Sequence, residues 1–520
     1  MHSSTVIIGA GPAGLTAAYS LVKNGVAPLV LEMSDKVGGI SRTEVYKNYR
    51  FDIGGHRFFT KVPEVESLWR EVLGEEFLRV PRLSRIYYGR KFYDYPLRIA
   101  TTVRNLGPLE STLILASYAK AQLRWKMSPH AKEETFEQWV IHRFGSRLYR
   151  TFFKTYTEKV WGIPCTQIRS DWAAQRIQGM SLVTAIRNAL KMQGGDAKSL
   201  IKEFDYPRLG PGMMWERFAE KVEEAGGEVR MQTESVRVLR EANRITGVVT
   251  RDTNGAEHTV PVTQLISSMA VTELIARIEP PPPEAVLIAS ANLKHRDFLV
   301  VALILRGERL FPDNWIYIHS PDVKVGRIQN FANWSPAMVP DPDRSCLGME
   351  YFCQKGDGLW QMPDAELIAL AKKEVGELQI ANPDDVVDGA VVRQPLAYPV
   401  YDGDYKENLD VVRGWLETLE NFQTIGRNGL HRYNNQDHSM LTAILAVRNL
   451  FGEGHNLWEV NTERSYHEDF VAKPGGKSVP EGGKVVLSAG KTASGEVPDS
   501  ATVWETKQPY AGATSGKGSR

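Results

Sequence analysis

Residues 5–32 read TVIIGAGPAGLTAAYSLVKNGVAPLVLE, and this stretch decides the fold. Its apolar start, Val6 to Ile8, predicts a buried parallel strand that runs directly into a glycine-rich turn and then a helix. In such a unit Gly9 permits the tight turn, and Gly11 lets the backbone approach a pyrophosphate. Gly14 permits close packing of the helix, whose positive N-terminal end faces the phosphates. The sequence therefore predicts a Rossmann-type domain that binds a dinucleotide.

An acidic residue and a second glycine-rich turn follow this unit. The apolar run Leu29 to Leu31 ends in Glu32, where a carboxylate accepts hydrogen bonds from a ribose diol. Gly39 and Arg42 come next, within a Gly-Gly-x-x-Arg pattern. Together these residues resemble the extended FAD fingerprint of the glutathione-reductase-type flavoproteins, in the amine oxidase and protoporphyrinogen oxidase branch. The resemblance implies FAD as the cofactor, with the glycine pair at the flavin and Arg42 serving the phosphates.

The composition bounds the class of protein. At 520 residues, the chain is long enough for two or three domains with their own cores. Lys and Arg (63) nearly balance Asp and Glu (62), so the net charge of +1 gives no indication of a nucleic-acid partner. The three cysteines form no CxxC pattern, which argues against disulfides and a zinc site and fits a reducing compartment. We expect no metal, signal peptide or membrane span, and therefore a cytoplasmic enzyme.

The order of patterns along the chain predicts an α/β protein with three parts. The discontinuous FAD-binding domain, of Rossmann (glutathione-reductase-like) type, is predicted over 1–95, 204–278 and 400–470. A helical insert is predicted over 96–203, where Arg, Lys and aromatic residues recur without turn clusters. A mixed-sheet substrate domain is predicted over 279–399, beginning at a run of prolines. The remaining residues, 471–520, are rich in Gly, Pro, Ser, Thr and Lys and predict a disordered tail.

Several sequence blocks resemble the UDP-galactopyranose mutases, most closely the eukaryotic type. The blocks are KVWGIP at 159–164, WIY at 315–317 with GR at 326–327, NWSP at 333–336, and NQDH at 435–438. With the N-terminal unit they follow the order of that family and cover most of residues 5–450. The resemblance implies a flavoenzyme that acts on a nucleotide sugar in polysaccharide biosynthesis.

The resemblance also assigns residues to the substrate. Arg176 and Arg327 match the positions that hold the dianionic pyrophosphate, an anion that planar guanidinium groups bind well. The aromatic residues that match the lining of the sugar and nucleotide cleft are Trp161, Tyr317, Tyr398 and Tyr433. Aromatic faces stack on bases and cover the apolar faces of sugars, although a place in the core is the alternative for each.

A third group of residues is expected at the flavin. His56 follows Gly55 at the flavin edge, and with Arg176 and Arg327 it forms the predicted catalytic set. Asp437 is expected to cap a helix whose positive N-terminus points at the flavin and favours its anionic reduced form. The full set of predicted cofactor contacts is Gly9, Gly11, Gly14, Glu32, Gly39, Arg42, Gly55, His56, Val236, Arg427, Asn435, Gln436 and Asp437.

The implied mechanism is covalent catalysis by the cofactor. In the mutases, reduced flavin attacks the anomeric carbon of the UDP-sugar and displaces UDP, and the ring recloses through a different hydroxyl. No net redox change results, so NAD(P)H is expected only as a transient reductant of the flavin.

Two other readings stay open at this point. One is an FAD-dependent oxidoreductase of the protoporphyrinogen oxidase or amine oxidase type that acts on another small molecule. The other is a non-enzymatic binding protein on the same fold, against which the complete glycine set argues.

Thr157 and the region of Ile201 stand where the mutases carry asparagines, and the loss of an amide changes ligand preference. The identities of the sugar and the nucleotide therefore also stay open, as does the oligomeric state.

Overall fold

The first layer of the protein is a five-stranded sheet in which every neighbouring pair of strands is parallel. This computed structural model describes residues 5–95, 97–127, 133–170, 202–308 and 310–461. The strands, in order across the sheet, are Phe422–Thr424, Gln264–Ser267, Thr5–Ile8, Leu29–Leu31 and Glu228–Arg230. The predicted first strand is central and buried, so the Rossmann-type sheet is confirmed.

Two glycines in the first turn are required by the backbone itself. Gly9 has a φ of +96°, a conformation that residues with a side chain rarely adopt. A Cβ atom at Gly14 would lie 1.8 Å from the carbonyl oxygen of Gly9, so a side chain has no room there. The helix Pro12–Lys23 therefore starts close against the strand, and it packs on the helices Gly212–Glu224 and Gln436–Leu450.

Three smaller sheets extend this part of the protein. A four-stranded sheet has the order Glu257–Pro261, Arg244–Arg251, Glu234–Glu241 and Ile278–Glu279. A turn that contains Asn254 and Gly255 joins the first two of these strands in antiparallel pairing. Two-stranded ribbons pair Thr43–Tyr46 with Tyr49–Asp52, and Phe77–Pro81 with Glu203–Pro207.

The second large layer is a seven-stranded mixed sheet. Its order is Val386–Pro399, His295–Arg306, Arg344–Cys353, Arg327–Asn330, Trp315–Ile318, Ser84–Tyr88 and Lys91–Asp94. The only parallel pair within it joins Trp315–Ile318 to Ser84–Tyr88. The last two strands fall inside segment 1–95, which the sequence predicts as part of the dinucleotide domain. They extend this sheet instead because the exposed edge of Trp315–Ile318 offers them backbone hydrogen bonds.

The strand His295–Arg306 separates two hydrophobic cores. Phe298, Val300 and their alternate neighbours pack toward the insert, and Leu299 and Val301 pack on the opposite face under the helix Asp364–Glu377. A strand covered on both faces needs apolar residues at every position, which explains its continuous apolar sequence.

The described part of the insert is mainly helical. Its helices are Ile99–Leu106, Pro108–Lys126, Phe136–Phe144, Ser146–Tyr149, a π-helical turn at Arg150–Lys154, and Thr155–Trp161. Residues 171–200, which include Arg176, lie outside the described residues, as does the predicted tail at 471–520.

The remaining helices connect the sheets. They are Pro63–Leu73, Val271–Arg277, Glu284–Asn292, Phe331–Trp334, Tyr405–Leu416 and Gly426–Gly429, with short 3₁₀ turns at Gly39–Ser41, Gly74–Glu76, Pro336–Met338, Pro383–Asp385 and Leu457–Glu459. No helix among the described ranges combines the length and apolar character needed to span a bilayer. All three cysteines are buried and free.

Candidate active site

One large cavity of about 910 Å³ lies where the two large sheets and the insert helices meet. Residues one or two positions after strands of the five-stranded sheet line it, namely Gly9, Glu32, Ser268 and Gly426. Ligands of open α/β sheets bind at the carboxyl ends of the strands, where the backbone leaves the sheet. The cavity therefore occupies the position that the Rossmann-type sheet prepares for a dinucleotide.

The glycine-rich turn after the first strand, Glu32 and the start of the helix Gln436–Leu450 are here named the cradle. The Glu32 carboxylate is held in place there by hydrogen bonds. One oxygen accepts from the backbone N–H of Ala10 at 2.7 Å, and the other accepts from the backbone N–H of Ser34 at 3.0 Å and its hydroxyl at 2.8 Å. The side chain is buried yet lines the cavity. A carboxylate oxygen can accept more than one hydrogen bond, so acceptor capacity remains for a ribose diol.

The second side of the cradle is the N-terminus of the helix Gln436–Leu450. Asn435 caps this helix, and a reciprocal capping box joins its side chain and backbone to His438. The expectation that Asp437 caps this helix is wrong. Asp437 is the second residue of the helix, where it is buried and lines the cavity. Gln436 is fixed between the Ser41 hydroxyl and the backbone carbonyl of Arg57, at 3.1 Å each.

His56 faces the cavity as a neutral imidazole. Its Nδ1 has no hydrogen-bond partner within the described part of the chain, and Gly55 beside it also lines the cavity. Burial lowers the pKa of His56 to about 3, and the positive charges of Arg427 and Arg327 add to this effect. His56 therefore presents a partly buried, unprotonated ring to whatever occupies the cavity.

Arg327 is anchored at the cavity wall, close to His56, by a buried carboxylate. Glu350, which is 0% exposed, accepts hydrogen bonds from Arg327 and from Gln329 Nε2, the latter at 2.7 Å. Nη2 of Arg327 also donates to the Tyr398 hydroxyl at 3.3 Å. Burial opposes the charge on Arg327, but the Glu350 carboxylate outweighs it and raises the pKa of Arg327 above its ordinary value. The cavity wall thus carries an oriented, permanently charged guanidinium.

A second guanidinium, Arg427, lies over two aromatic rings. Its Cζ is 4.7 Å from the ring centre of Tyr398 and 4.3 Å from that of Tyr433. The two rings stack on each other at 5.6 Å. Within the described ranges, Nε of Arg427 is a buried donor with no hydrogen-bond acceptor. A buried cationic donor of this kind fits an anionic ligand.

The other predicted aromatic residues complete this wall. Trp161 is buried and lines the cavity, with its ring 6.3 Å from Tyr433. Tyr317 lines it as well and contacts Tyr156, whose ring stacks on His319 at 4.7 Å. The structure therefore brings together the four aromatic residues that the resemblance assigns to the substrate cleft.

Two predicted site residues, Arg42 and Val236, are placed differently. Arg42 points to Glu44 (2.7 Å), the Gly39 carbonyl (2.8 Å) and Gln394 (2.7 Å), and it does not appear in the described cavity lining. These protein acceptors hold the Arg42 side chain away from the cavity. Val236 is half-buried in its strand, where Glu234 and Ser235 line the cavity in its place. Arg176 cannot be placed because it lies outside the described residues.

Sequence reasoning missed Glu350, Gln329 and Tyr156. The signal for Glu350 is its isolation, because it is the one acid in the buried strand Arg344–Cys353. An acid inside a buried strand requires a partner, and register pairs Glu350 with Arg327 on the neighbouring strand. Gln329 follows Arg327 by two residues and therefore shares its face.

The insert side of the cavity is apolar. Its described lining includes Leu97, Val103, Leu106, Ile114, Leu115, Phe136, Phe144, Leu148, Phe152 and Phe153. Thr157 is the cavity residue on this side where the mutases carry an amide, and it is 6% exposed. The cavity thus joins a polar dinucleotide cradle to a largely apolar chamber.

Fold and cradle together define the class: this is the FAD-type flavoenzyme fold. The strand–turn–helix unit, Glu32, the capped helix N-terminus and the unpartnered His56 Nδ1 fit that cofactor. A solved structure of reduced UDP-galactopyranose mutase superposes with a TM-score of 0.77 at 20% identity, covering 89% of this chain and 97% of that one. Putrescine oxidase superposes with a TM-score of 0.56 at 16% identity, covering 87% and 99%. At these identities the likeness is one of fold.

Sequence comparison supports the Rossmann-type domain. Residues 7–72 match the family model described as an NAD(P)-binding Rossmann-like domain. The "Probable UDP-galactopyranose mutase" of Klebsiella pneumoniae is 25% identical over 179 residues, which cover 32% of this chain and 43% of the relative. Coproporphyrinogen III oxidase of Mycobacterium leprae is 29% identical over 156 residues, covering 28% and 34%. The matched segments thus span less than half the length of these curated relatives.

Proposed function

We propose that this protein is an FAD-dependent isomerase that interconverts the pyranose and furanose forms of a nucleotide sugar for polysaccharide biosynthesis in the cytoplasm. The observation that carries the proposal is the pair Arg327 and Arg427, both on the cavity wall and both in contact with Tyr398. Two fixed cations beside stacked aromatic rings suit a diphosphate that is joined to a sugar and a base. The likeness in fold to UDP-galactopyranose mutase supports the choice of substrate.

The residues of the chain would act by holding and orienting. When bound and reduced, FAD supplies a nucleophilic ring nitrogen, and NAD(P)H serves as its transient reductant. Arg327, held by Glu350, binds the diphosphate and stabilises the negative charge that develops when it leaves the sugar. His56 donates or accepts one hydrogen bond as a neutral ring, and the aromatic wall excludes water. We assign Arg176 to the same diphosphate from the resemblance alone.

The sugar need not be galactose. Thr157 lines the cavity with a hydroxyl group where the mutases have an amide, so the hydrogen bonds offered to the ligand differ. A panel of UDP-hexoses is therefore the appropriate set of substrates.

Binding of UDP tests the role of Arg327 without turnover. We expect Arg327→Lys to weaken UDP binding about 10- to 100-fold, since charge-assisted hydrogen bonds contribute about 1.5–3 kcal/mol. Arg85→Lys is the matched control, because Arg85 pairs with buried Asp313 in the same sheet but does not belong to the described cavity lining. Equal affinities in all three proteins, measured by calorimetry, would contradict the proposed diphosphate site.

A second candidate function is an FAD-dependent oxidoreductase that acts on an apolar small molecule. The apolar insert side of the cavity favours it, because a nucleotide presents polar edges for which that lining offers few hydrogen-bond partners. The partial likeness to coproporphyrinogen III oxidase is consistent with this candidate. It predicts that UDP does not bind and that a substrate bleaches the oxidised flavin.

A further inference from the structure

The insert helix Pro108–Lys126 is apolar on two opposite sides. One side, with Ser111, Ile114 and Leu115, lines the cavity. The opposite side carries Leu109, Leu113, Leu123 and, one residue beyond the helix, Met127, which together are here named the outer stripe. A helix that is apolar all round is ordinarily buried all round. On the cavity side Ile114 is buried and Leu115 is half exposed, whereas all four residues of the outer stripe are exposed.

The outer stripe consists of two exposed apolar pairs, one at each end of the helix. Leu109 is 76% exposed, Leu113 39%, Leu123 60% and Met127 69%. The members of each pair are four residues apart and the pairs are ten residues apart, so all four side chains project from the same face of the helix. At 1.5 Å per residue the stripe is about 27 Å long. The other large exposed apolar side chains of the described residues, outside the insert, are spread singly over the sequence. An exposed apolar patch of this extent marks an interaction surface.

The charges around the stripe are almost all positive. Between residues 97 and 127 there are five basic residues, all exposed, which are Arg98, Arg104, Lys120, Arg124 and Lys126. The same segment contains one acid, Glu110, and this carboxylate is paired with Arg147 at 2.6 Å. Lys120 lies within the stripe itself, one helical turn before Leu123. Apolar side chains with a cationic flank match the interface of an anionic bilayer, where acyl chains lie beneath negative headgroups.

We propose that the outer stripe and its basic flank dock this protein on the surface of an anionic lipid bilayer. The helix lies in the plane of the interface, with the leucines among the acyl chains and the basic residues at the headgroups. This surface is independent of the proposed isomerase activity, since the outer stripe does not belong to the described cavity lining. Docking would also place the insert side of the cavity next to the membrane.

Vesicle co-sedimentation of the full-length protein tests the proposal. We expect it to sediment with vesicles of phosphatidylcholine that contain about 30% phosphatidylglycerol, and much less with phosphatidylcholine alone. Leu109→Gln/Leu123→Gln should reduce the bound fraction at least tenfold. Lys120→Gln/Arg124→Gln should reduce it about fivefold for each charge removed, and added salt should remove this difference.

The control variant is Val387→Gln/Val411→Gln, which changes two exposed apolar side chains outside the insert. It should bind vesicles like the unchanged protein, and all variants should keep the same thermal midpoint and circular dichroism spectrum. Two outcomes overturn the proposal. One is no sedimentation with anionic vesicles at low salt. The other is a dimer, measured by light scattering, that Leu109→Gln/Leu123→Gln dissociates, because the stripe would then bind a second copy of the chain.

Discussion

Among single residues, Arg327 and Glu350 depend on each other because both charges lie away from solvent. Glu350 is 0% exposed, so removal of its cationic partner leaves an uncompensated buried carboxylate. We expect Arg327→Met to lower the free energy of unfolding by about 3–5 kcal/mol. The double variant Arg327→Met/Glu350→Gln removes both charges and should recover most of that loss, while UDP binding stays weak. Urea denaturation measures both effects, and a double variant no more stable than the single one would contradict the pairing.

Three buried histidines predict how stability depends on pH. Burial lowers the pKa of His295 to about 4 and of His319 and His431 to about 3, from 6.5, with nearby positive charge adding to the effect at the first two. The unfolded chain therefore binds more protons than the folded one below about pH 6.5. Stability is fully present above this pH and is lost as the pH falls toward the folded-state values.

Each of these histidines contributes a slope of roughly 1 kcal/mol per pH unit between pH 6.5 and its folded value. His431→Phe should reduce the slope of unfolding free energy against pH by about that amount, measured by denaturation between pH 5 and pH 6.5. His258→Gln is the control, because His258 is exposed. An unchanged slope in His431→Phe would show that His431 is protonated in the folded protein.

The sequence predicts the cradle from glycines and an acid at fixed spacing. Gly9, Gly14 and Glu32 act through backbone geometry and a strand end, which are local properties. In the structure Gly9 and Glu32 line the cavity, and Gly14 packs against Gly9. Glu350 and Arg427 act through partners far away in the sequence, so local patterns gave no role to Glu350 and no stacked aromatic pair to Arg427. Arg42 shows the reverse case, since its motif is present but local acceptors hold its side chain behind the cradle.

Among the structural elements, the helix Gln436–Leu450 links stability to the cofactor site. Asn435→Ala removes its cap and should cost about 1 kcal/mol of stability. It should also lower the midpoint potential of bound flavin by roughly 5–20 mV, because a weaker helix terminus contributes less than its ~0.3–1 kcal/mol to the reduced anion. Thr135→Ala removes an equivalent cap from the helix Phe136–Phe144 and is the control. An equally large decrease of the flavin midpoint potential in Thr135→Ala would contradict the role assigned to Asn435.

The sequence predicts the type of most elements better than their partners. A helix near Asp437 is predicted and present, although Asn435 and not Asp437 stands at its cap position. The strands Ser84–Tyr88 and Lys91–Asp94 join the seven-stranded sheet although they lie in segment 1–95, which the sequence predicts as part of the FAD-binding domain, because strand pairing depends on which edge is free in the folded protein. The outer stripe was not predicted, since apolar residues at helical spacing are equally consistent with burial.

On the scale of the whole molecule, the cavity exists only because three distant parts of the chain meet. The dinucleotide sheet supplies the cradle, the seven-stranded sheet supplies Arg327 and Tyr398, and the insert supplies the apolar side. Fold class and cofactor follow from the first forty residues, whereas the substrate depends on how the other two parts approach them. The proposed isomerase and the alternative oxidoreductase share the cradle and differ in what the apolar chamber receives.

Product analysis under anaerobic conditions tests the central claim most directly. The purified protein is reduced with dithionite and incubated with UDP-galactose and other UDP-hexoses, and the nucleotide sugars are separated by chromatography while the flavin spectrum is recorded. The account predicts a new furanose nucleotide, formed by many turnovers while the flavin stays reduced. Unchanged nucleotide sugars, together with an oxidised flavin that a different small molecule bleaches, would contradict it and favour the oxidoreductase.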